Sequence, residues 1–324
     1  MKTITTIDKF VEGDRVQGFY LCVEKHIRHK RNGDLYLDLS LRDRTGVVAA
    51  KVWDKVEEYS EKFEQSEAVA VSGIIESFQD RLQLIVKKIN RATIQYYARY
   101  GYDPALIVPA SAHDPQEMWA TIVALISKIK HKGLRKLVSL IYRENKDRLL
   151  ILPASMIIHH DYRSGFLEHV LSMAQIGKFL ATHYHVDEDL LMAGILLHDI
   201  GKLRELSGEF ENRYTDEGNF IGHIIIGYDI IREALGEVEG FSDELRWKLK
   251  HMLLAHQGTL EWGSPRRPAF KEALLLHMID NMDAKFNLMD KLLEEDQNAG
   301  KWTDLRNYFH TALYKGNDAT DPTG

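Results

Sequence analysis

The sequence predicts an α+β chain in two parts, a small five-stranded β-barrel followed by an all-α bundle, and three observations predict it. Residues 15 to 90 alternate apolar and polar side chains with period two and carry a strong hairpin signal. From residue 151 onward, apolar positions recur almost without interruption at helical spacing. Within that helical half, five separate segments each place a histidine or aspartate among apolar neighbours.

Composition bounds the possibilities. The 324 residues provide for two domains and a sizeable core, and 44% apolar with 28% charged residues is ordinary for a globular protein. No apolar stretch approaches the ~20 residues that span a bilayer, and "MKTITTIDKFVEGDRV" lacks the apolar core of a secretory signal. A single cysteine, Cys22, permits neither an internal disulfide nor a cysteine-based zinc site. A cytoplasmic protein acting away from membranes is expected. The net charge of -6 divides unevenly. Residues 1–150 carry 25 Lys+Arg against 20 Asp+Glu, and residues 151–324 carry 17 against 28. A basic front half suits a polyanion and an acidic back half suits metal cations, although solvated surface accounts for most of these charges.

The barrel is read strand by strand. "RVQGFYLCVEKHIR" alternates and is rich in strand formers. "RNGDLYLDLSLRD" turns at Asn32-Gly33 and then alternates through Leu35, Leu37, Leu39 and Leu41. "TGVVAAKVWD" is a third strand and "KVEEYSEKFEQ" a short polar helix. "EAVAVSGIIESF" and "RLQLIVKKINRA" complete the set, turning at Gln79-Asp80. Five strands with a helix between the third and fourth is the order of an OB-fold barrel, which often binds single strands. Phe19, Tyr36, Trp53 and Phe78 offer base-stacking faces, and "KHIRHKR", with Arg28 and Lys30, offers a basic loop for phosphates. The alternative, that these aromatics fill the barrel core, is open at this point.

Residues 91–113 form a connector with Pro104 and Pro109, followed by two helices with a break at Gly133 and a basic face through Lys128, Lys130, Lys132, Arg135 and Lys136. Ser164 is a plausible N-cap for a helix carrying Phe166, Leu167, Val170, Leu171 and Ala174 on one face, with His169 beside it. Asp187 starts the next helix, "LLMAGILL" is apolar on every side and therefore deep in the core, and Gly201 suits its end. Three further helices follow. The boundaries are residues 1–92 for the barrel domain, 93–150 for a connector and helical linker, 151–315 for the helical domain and 316–324 for a disordered tail.

The apolar run ends in His198-Asp199, and a buried, unpaired carboxylate is costly unless a partner or metal compensates it. His169 in "LEHVL", His223 in "IGHIII", His256 in "LLAHQG" and Asp280 in "LHMIDNM" repeat the pattern. Any one alone would be a satisfied core or surface residue. Imidazoles plus carboxylates without thiolates suit Mn, Fe, Co, Ni or Zn better than Ca or Mg.

The order His169, His198-Asp199, Asp280 resembles the HD superfamily of helical metal-dependent phosphohydrolases. The extended form HDIGK, with His223 and His256 before the last aspartate, resembles members that hold two metals. Joined to an OB-type front half, and with "HHDYRSGFLEH", "YTDEG…GH" and "LEWGSP" in place, the chain is similar, its tail apart, to the YhaM-type 3′→5′ exoribonucleases. It departs at Gln257, where related proteins often show a second histidine.

The resemblance implies two divalent ions, Mn²⁺ first, with Co²⁺, Fe²⁺, Ni²⁺ or Zn²⁺ as substitutes. It implies that His169, His198, Asp199 and Asp280 hold the first and that Asp199, His223 and His256 hold the second, Asp199 bridging. Lys202 then meets a phosphate oxygen as a point charge; alternatively it is a helix C-terminal lysine favoured by the dipole. His159 and His160 contact the substrate phosphate or are merely exposed. Asp283 is a ligand in place of Asp280 or orients one. The function expected is exonucleolytic cleavage of single-stranded RNA or DNA from the 3′ end, by a homo-oligomer. The runner-up is an HD phosphodiesterase or nucleotidase acting on small nucleotides.

Overall fold

A computed structural model describes residues 4–316 except Asp80, Ile157, Glu209 and Glu211. Asp80 of the expected Gln79-Asp80 turn and residues 317–324 of the expected disordered tail thus lie outside the described residues. The chain divides into two compact units, residues 1–110 with 207–213 and residues 111–206 with 214–324.

The first unit is a closed barrel of β1 (Arg15–His29), β2 (Leu35–Asp43), β3 (Gly46–Val52), β4 (Ala68–Phe78) and β5 (Arg81–Arg91), in the spatial order β1-β2-β3-β5-β4. Helix α1 (Val56–Ser60) lies between β3 and β4 in the chain, as expected. The order is that of an OB-fold. All pairings are antiparallel except β3 with β5. Alternation in β2 sends Leu37, Leu39 and Leu41 inward against Val48, Ala50, Val69, Val71, Leu84 and Ile89. A one-residue slip would turn that whole set to water. The turn between β2 and β3 is set by Asp43, whose Oδ1 accepts from the Thr45 and Gly46 amides while Oδ2 accepts from the Ile7 amide.

The second unit is helical: α2 (Pro115–Lys128), α3 (Lys132–Glu144), α4 (Gly165–Tyr184), α5 (Glu188–Leu197), α6 (His223–Glu237), α7 (Asp243–Ala255) and α8 (Lys271–Glu295). Every residue of α5 from Leu190 to Leu197 is buried, with α3, α4, α7 and α8 packed around it. Its Leu and Ile side chains each contribute about 1.5–3 kcal/mol on burial. Asp187 caps α5 by accepting from the Leu190 amide, as the sequence indicates. Helices α2 and α3, expected as a linker, bury Ile122, Ile126, Leu137 and Ile141 in this same core. No described helix is long and apolar enough to cross a membrane.

Three local expectations are corrected. The break between α2 and α3 falls at Ile129–His131, not Gly133, because the Asp189 carboxylate accepts the Lys130 and His131 amides there. Ser164 precedes α4, but its hydroxyl donates to the Leu150 carbonyl instead of capping the helix. Gly201 is not a left-handed helix end: its φ is -61° and it starts the short helix Lys202–Glu205. Glycine is needed there because a Cβ would stand 1.9 Å from the His223 carbonyl oxygen.

Candidate metal centre

Four helix-borne histidines share one arrangement. His198, continuing α5, and His256, following α7, place Nδ1 against the carbonyls of Ile195 and Leu253 at 2.8 and 2.7 Å. His169 on α4 places Nδ1 against Asp283 Oδ2 at 2.7 Å, and His223 at the start of α6 places Nδ1 against Glu205 Oε1 at 3.0 Å. Each of these oxygens can only accept, so the proton of each neutral ring sits on Nδ1 and Nε2 carries the lone pair.

The Nε2 atoms turn toward carboxylates. His169 Nε2 stands 3.3 Å from Asp280 Oδ1, and His198 Nε2 stands 3.3 Å from Asp199 Oδ2 and 3.8 Å from Asp280 Oδ1. His223 and His256 Nε2 each stand 3.4 Å from Asp199 Oδ1. His169 Nε2, His198 Nε2, His223 Nε2 and Asp199 Oδ1 are buried without a hydrogen-bond partner in the described structure. Convergent acceptors lacking donors are what a cation satisfies. Two groups of donor atoms, each within 4.8 Å of one another, result: His169, His198 and Asp280, and Asp199, His223 and His256. A third comprises His160, His169 and Asp283, two of which, His169 and Asp283, already engage each other at 2.7 Å.

Electrostatics follow the same lines. Burial opposes a charge on His169, but Asp280 and Asp283 outweigh it and hold the imidazolium up to about 9. Burial would raise the Asp199 carboxyl; Lys202 and His198 outweigh that and keep it well below the usual carboxylate range. Asp280 is held down likewise by His169 and His198. Burial, with His169 nearby, pushes His159 down to about 3 and His160 to about 4.

Part of this cluster lines an open cavity of about 710 Å³ within the helical unit. His159, Asp199, Lys202, His223, His256 and Asp280 all line it. Lys202 Nζ pairs there with the Asp199 carboxylate and the Ala154 carbonyl. His159 has both ring nitrogens unpartnered. His160, expected beside it at the substrate, is corrected: it is buried, does not line the cavity, and sits 3.9 Å from Asp283. Gln257, the departure, lines the wall.

On the barrel, Tyr36 and Trp53 stack with ring centroids 4.8 Å apart, and Lys30 and Lys51 Nζ lie over the two rings. Trp53 is exposed. Arg28 pairs with Asp38 at 2.9 Å. Phe19 is corrected: it is buried against Tyr97 and Tyr102 and offers no face to a base.

Sequence reasoning missed Glu205, which orients His223, and the cavity-wall residues Trp262, Lys285 and Tyr308. The signal for Lys285 was present in α8: Asn281, Lys285 and Leu288 follow Asp280 on one helical face.

Known proteins agree with this architecture. The HD domain family matches residues 166–285 and the OB-fold nucleic acid binding domain family matches residues 22–92. Relatives named 3′-5′ exoribonuclease YhaM cover nearly the full chain. That of Listeria monocytogenes is 36% identical over 286 residues, 88% of this chain and 90% of its own. That of Shouchella clausii is 36% identical over 310 residues, 94% and 95%. That of Bacillus subtilis is 35% identical over 284 residues, 87% and 88%. With an OB-fold barrel, an HD-type helical unit and this extent of identity, the chain belongs to the YhaM family of 3′-5′ exoribonucleases.

Proposed function

We propose that this protein removes nucleotides from the 3′ end of single-stranded RNA, and of single-stranded DNA, by metal-dependent phosphodiester hydrolysis. The observation that carries the reading is the convergence of buried, unpartnered histidine nitrogens with the carboxylates of Asp199 and Asp280, both of which line the cavity. His169, His198, Asp199 and Asp280 would hold one divalent ion, and Asp199, His223 and His256 a second. Asp199 is suited to both because Oδ2 faces His198 while Oδ1 faces His223 and His256. Manganese fits this nitrogen–oxygen set, as do Co²⁺, Fe²⁺, Ni²⁺ and Zn²⁺. When bound, two such ions activate a water and neutralise charge developing on phosphate oxygens.

The chain's own groups do the rest. Asp283 and Glu205 hold His169 and His223 in the orientation that turns Nε2 toward Asp280 and Asp199. Lys202 supplies a point charge for a phosphate oxygen, and His159, neutral at physiological pH, hydrogen-bonds the same phosphate. Tyr36 and Trp53 stack unpaired bases while Lys30 and Arg28 attract the backbone. Incubation of the pure protein with Mn²⁺ and 5′-labelled single-stranded RNA or DNA should produce stepwise shortening that a chelator stops. Strands that stay intact with Mn²⁺ would contradict the proposal.

A further inference from the structure

We propose that the helical unit carries a nucleobase subsite of its own, formed by the Trp262 indole and the Lys285 ammonium on the wall of the metal cavity. The proposal rests on the exonuclease reading and assigns the handling of the substrate's terminal nucleotide: its base stacks on Trp262 and its phosphate meets Lys285.

Trp262 lines the cavity and is 49% exposed, a large apolar face turned to water where the fold gains little from it. Tyr308 lines the same cavity and is also exposed. Lys285 Nζ lies 5.5 Å from the indole centroid, and among the described residues it has no carboxylate partner. A half-exposed indole with an ammonium over its ring joins a stacking surface for a base to a charge for a phosphate, the combination that single-strand binding uses.

Both groups are held in place by elements that also carry the candidate ligands. After His256 the chain turns at Gly258, whose φ is +79° and whose Cβ position would lie 2.1 Å from the His277 ring. Only glycine permits that approach. The turn leads into the 3-10 helix Leu260–Trp262, and the Trp262 ring rests 6.1 Å from His277. Lys285 projects from α8 on the face shared by Asn281 and Leu288, beside Asp280. A base held on Trp262 therefore sits at the cavity that contains the candidate metal ligands. Stacking of this kind tolerates every base, as removal of successive nucleotides requires.

The test is a double-mutant cycle on the full chain with Mn²⁺, using short RNAs whose terminal linkage resists hydrolysis, so that binding is read without turnover. One RNA ends in a normal 3′ nucleotide and the other in an abasic one. Removing the base, or making Trp262→Ala, should each weaken binding roughly tenfold, and the two together should weaken it no further than either alone. Trp262→Phe, which keeps an aromatic face, should recover most of the binding, and this arm also reports on a variant that merely misfolds. Lys285→Met should lower the slope of log affinity against log salt by about one. Additive effects of Trp262→Ala and base removal, no effect of either, or an unchanged salt slope would overturn the subsite. Failure of the exonuclease reading shows separately, as a wild-type protein that leaves every cleavable strand intact.

Discussion

Asp283 engages His169 Nδ1 at 2.7 Å and thereby fixes which nitrogen of that imidazole is left for the other donor atoms of the cluster. Asp280, one helical turn earlier on α8, faces the other nitrogen. Asp280 thus turns an oxygen to the His169 nitrogen that Asp283 leaves unengaged. Asp283→Asn should lower Mn²⁺ affinity about 10- to 100-fold while activity returns toward wild type at saturating metal. Calorimetric titration checks it, and unchanged affinity would mean that His169 needs no such support.

Asp199 joins His223 and His256 through Oδ1 and faces His198 of the other donor group with Oδ2. Asp199→Ala should abolish hydrolysis and cut the number of ions bound, with helical circular dichroism largely preserved. Near-wild-type turnover at matched metal content would sink the shared-carboxylate account.

The His169 environment sets a pH dependence with a definite sign. Its imidazolium is raised from 6.5 to about 9 by Asp280 and Asp283. Without metal, the charged pair contributes stability that is fully present below pH 6.5 and is lost as pH rises through about 9. Metal binding displaces that proton, so Mn²⁺ affinity should instead rise over the same window. Melting temperatures of chelated and Mn²⁺-loaded protein should therefore diverge between these values. Parallel curves would count against His169 as a ligand.

Much of this was legible in the sequence. The period-two run through Leu37, Leu39 and Leu41 indicates an inward face whichever strands pair with it, and the uniform apolarity of Leu190–Leu197 indicates a central helix. The ordered His and Asp positions were readable because each interrupts an apolar helix face. What escaped was tertiary. Nothing local says that Phe19 buries against Tyr97 and Tyr102, that Asp189 stops α2 by taking amides at Lys130 and His131, or that Glu205 reaches His223. Each depends on a partner distant in the chain or on a neighbouring helix end.

That distinction separates two barrel aromatics. Trp53→Ala should leave the barrel folded and weaken single-strand binding by about 1–3 kcal/mol, because it removes an exposed stacking face beside Tyr36. Phe19→Ala should instead destabilise the barrel by about 3–5 kcal/mol. Equal loss of stability in both variants, read by denaturant melts alongside RNA binding, would contradict the assignment of Trp53 to the surface.

The most direct measurement uses a 5′-labelled RNA hairpin with a single-stranded 3′ overhang, incubated with Mn²⁺. A cavity recessed among helices admits a free end, and opening the stem costs ~1.4 kcal/mol per base-pair step. The account predicts a ladder that shortens from the 3′ end and stalls near the stem, with a blocked 3′ terminus strongly slowed. Oligonucleotides that stay intact while mononucleotides or cyclic nucleotides turn over would contradict it.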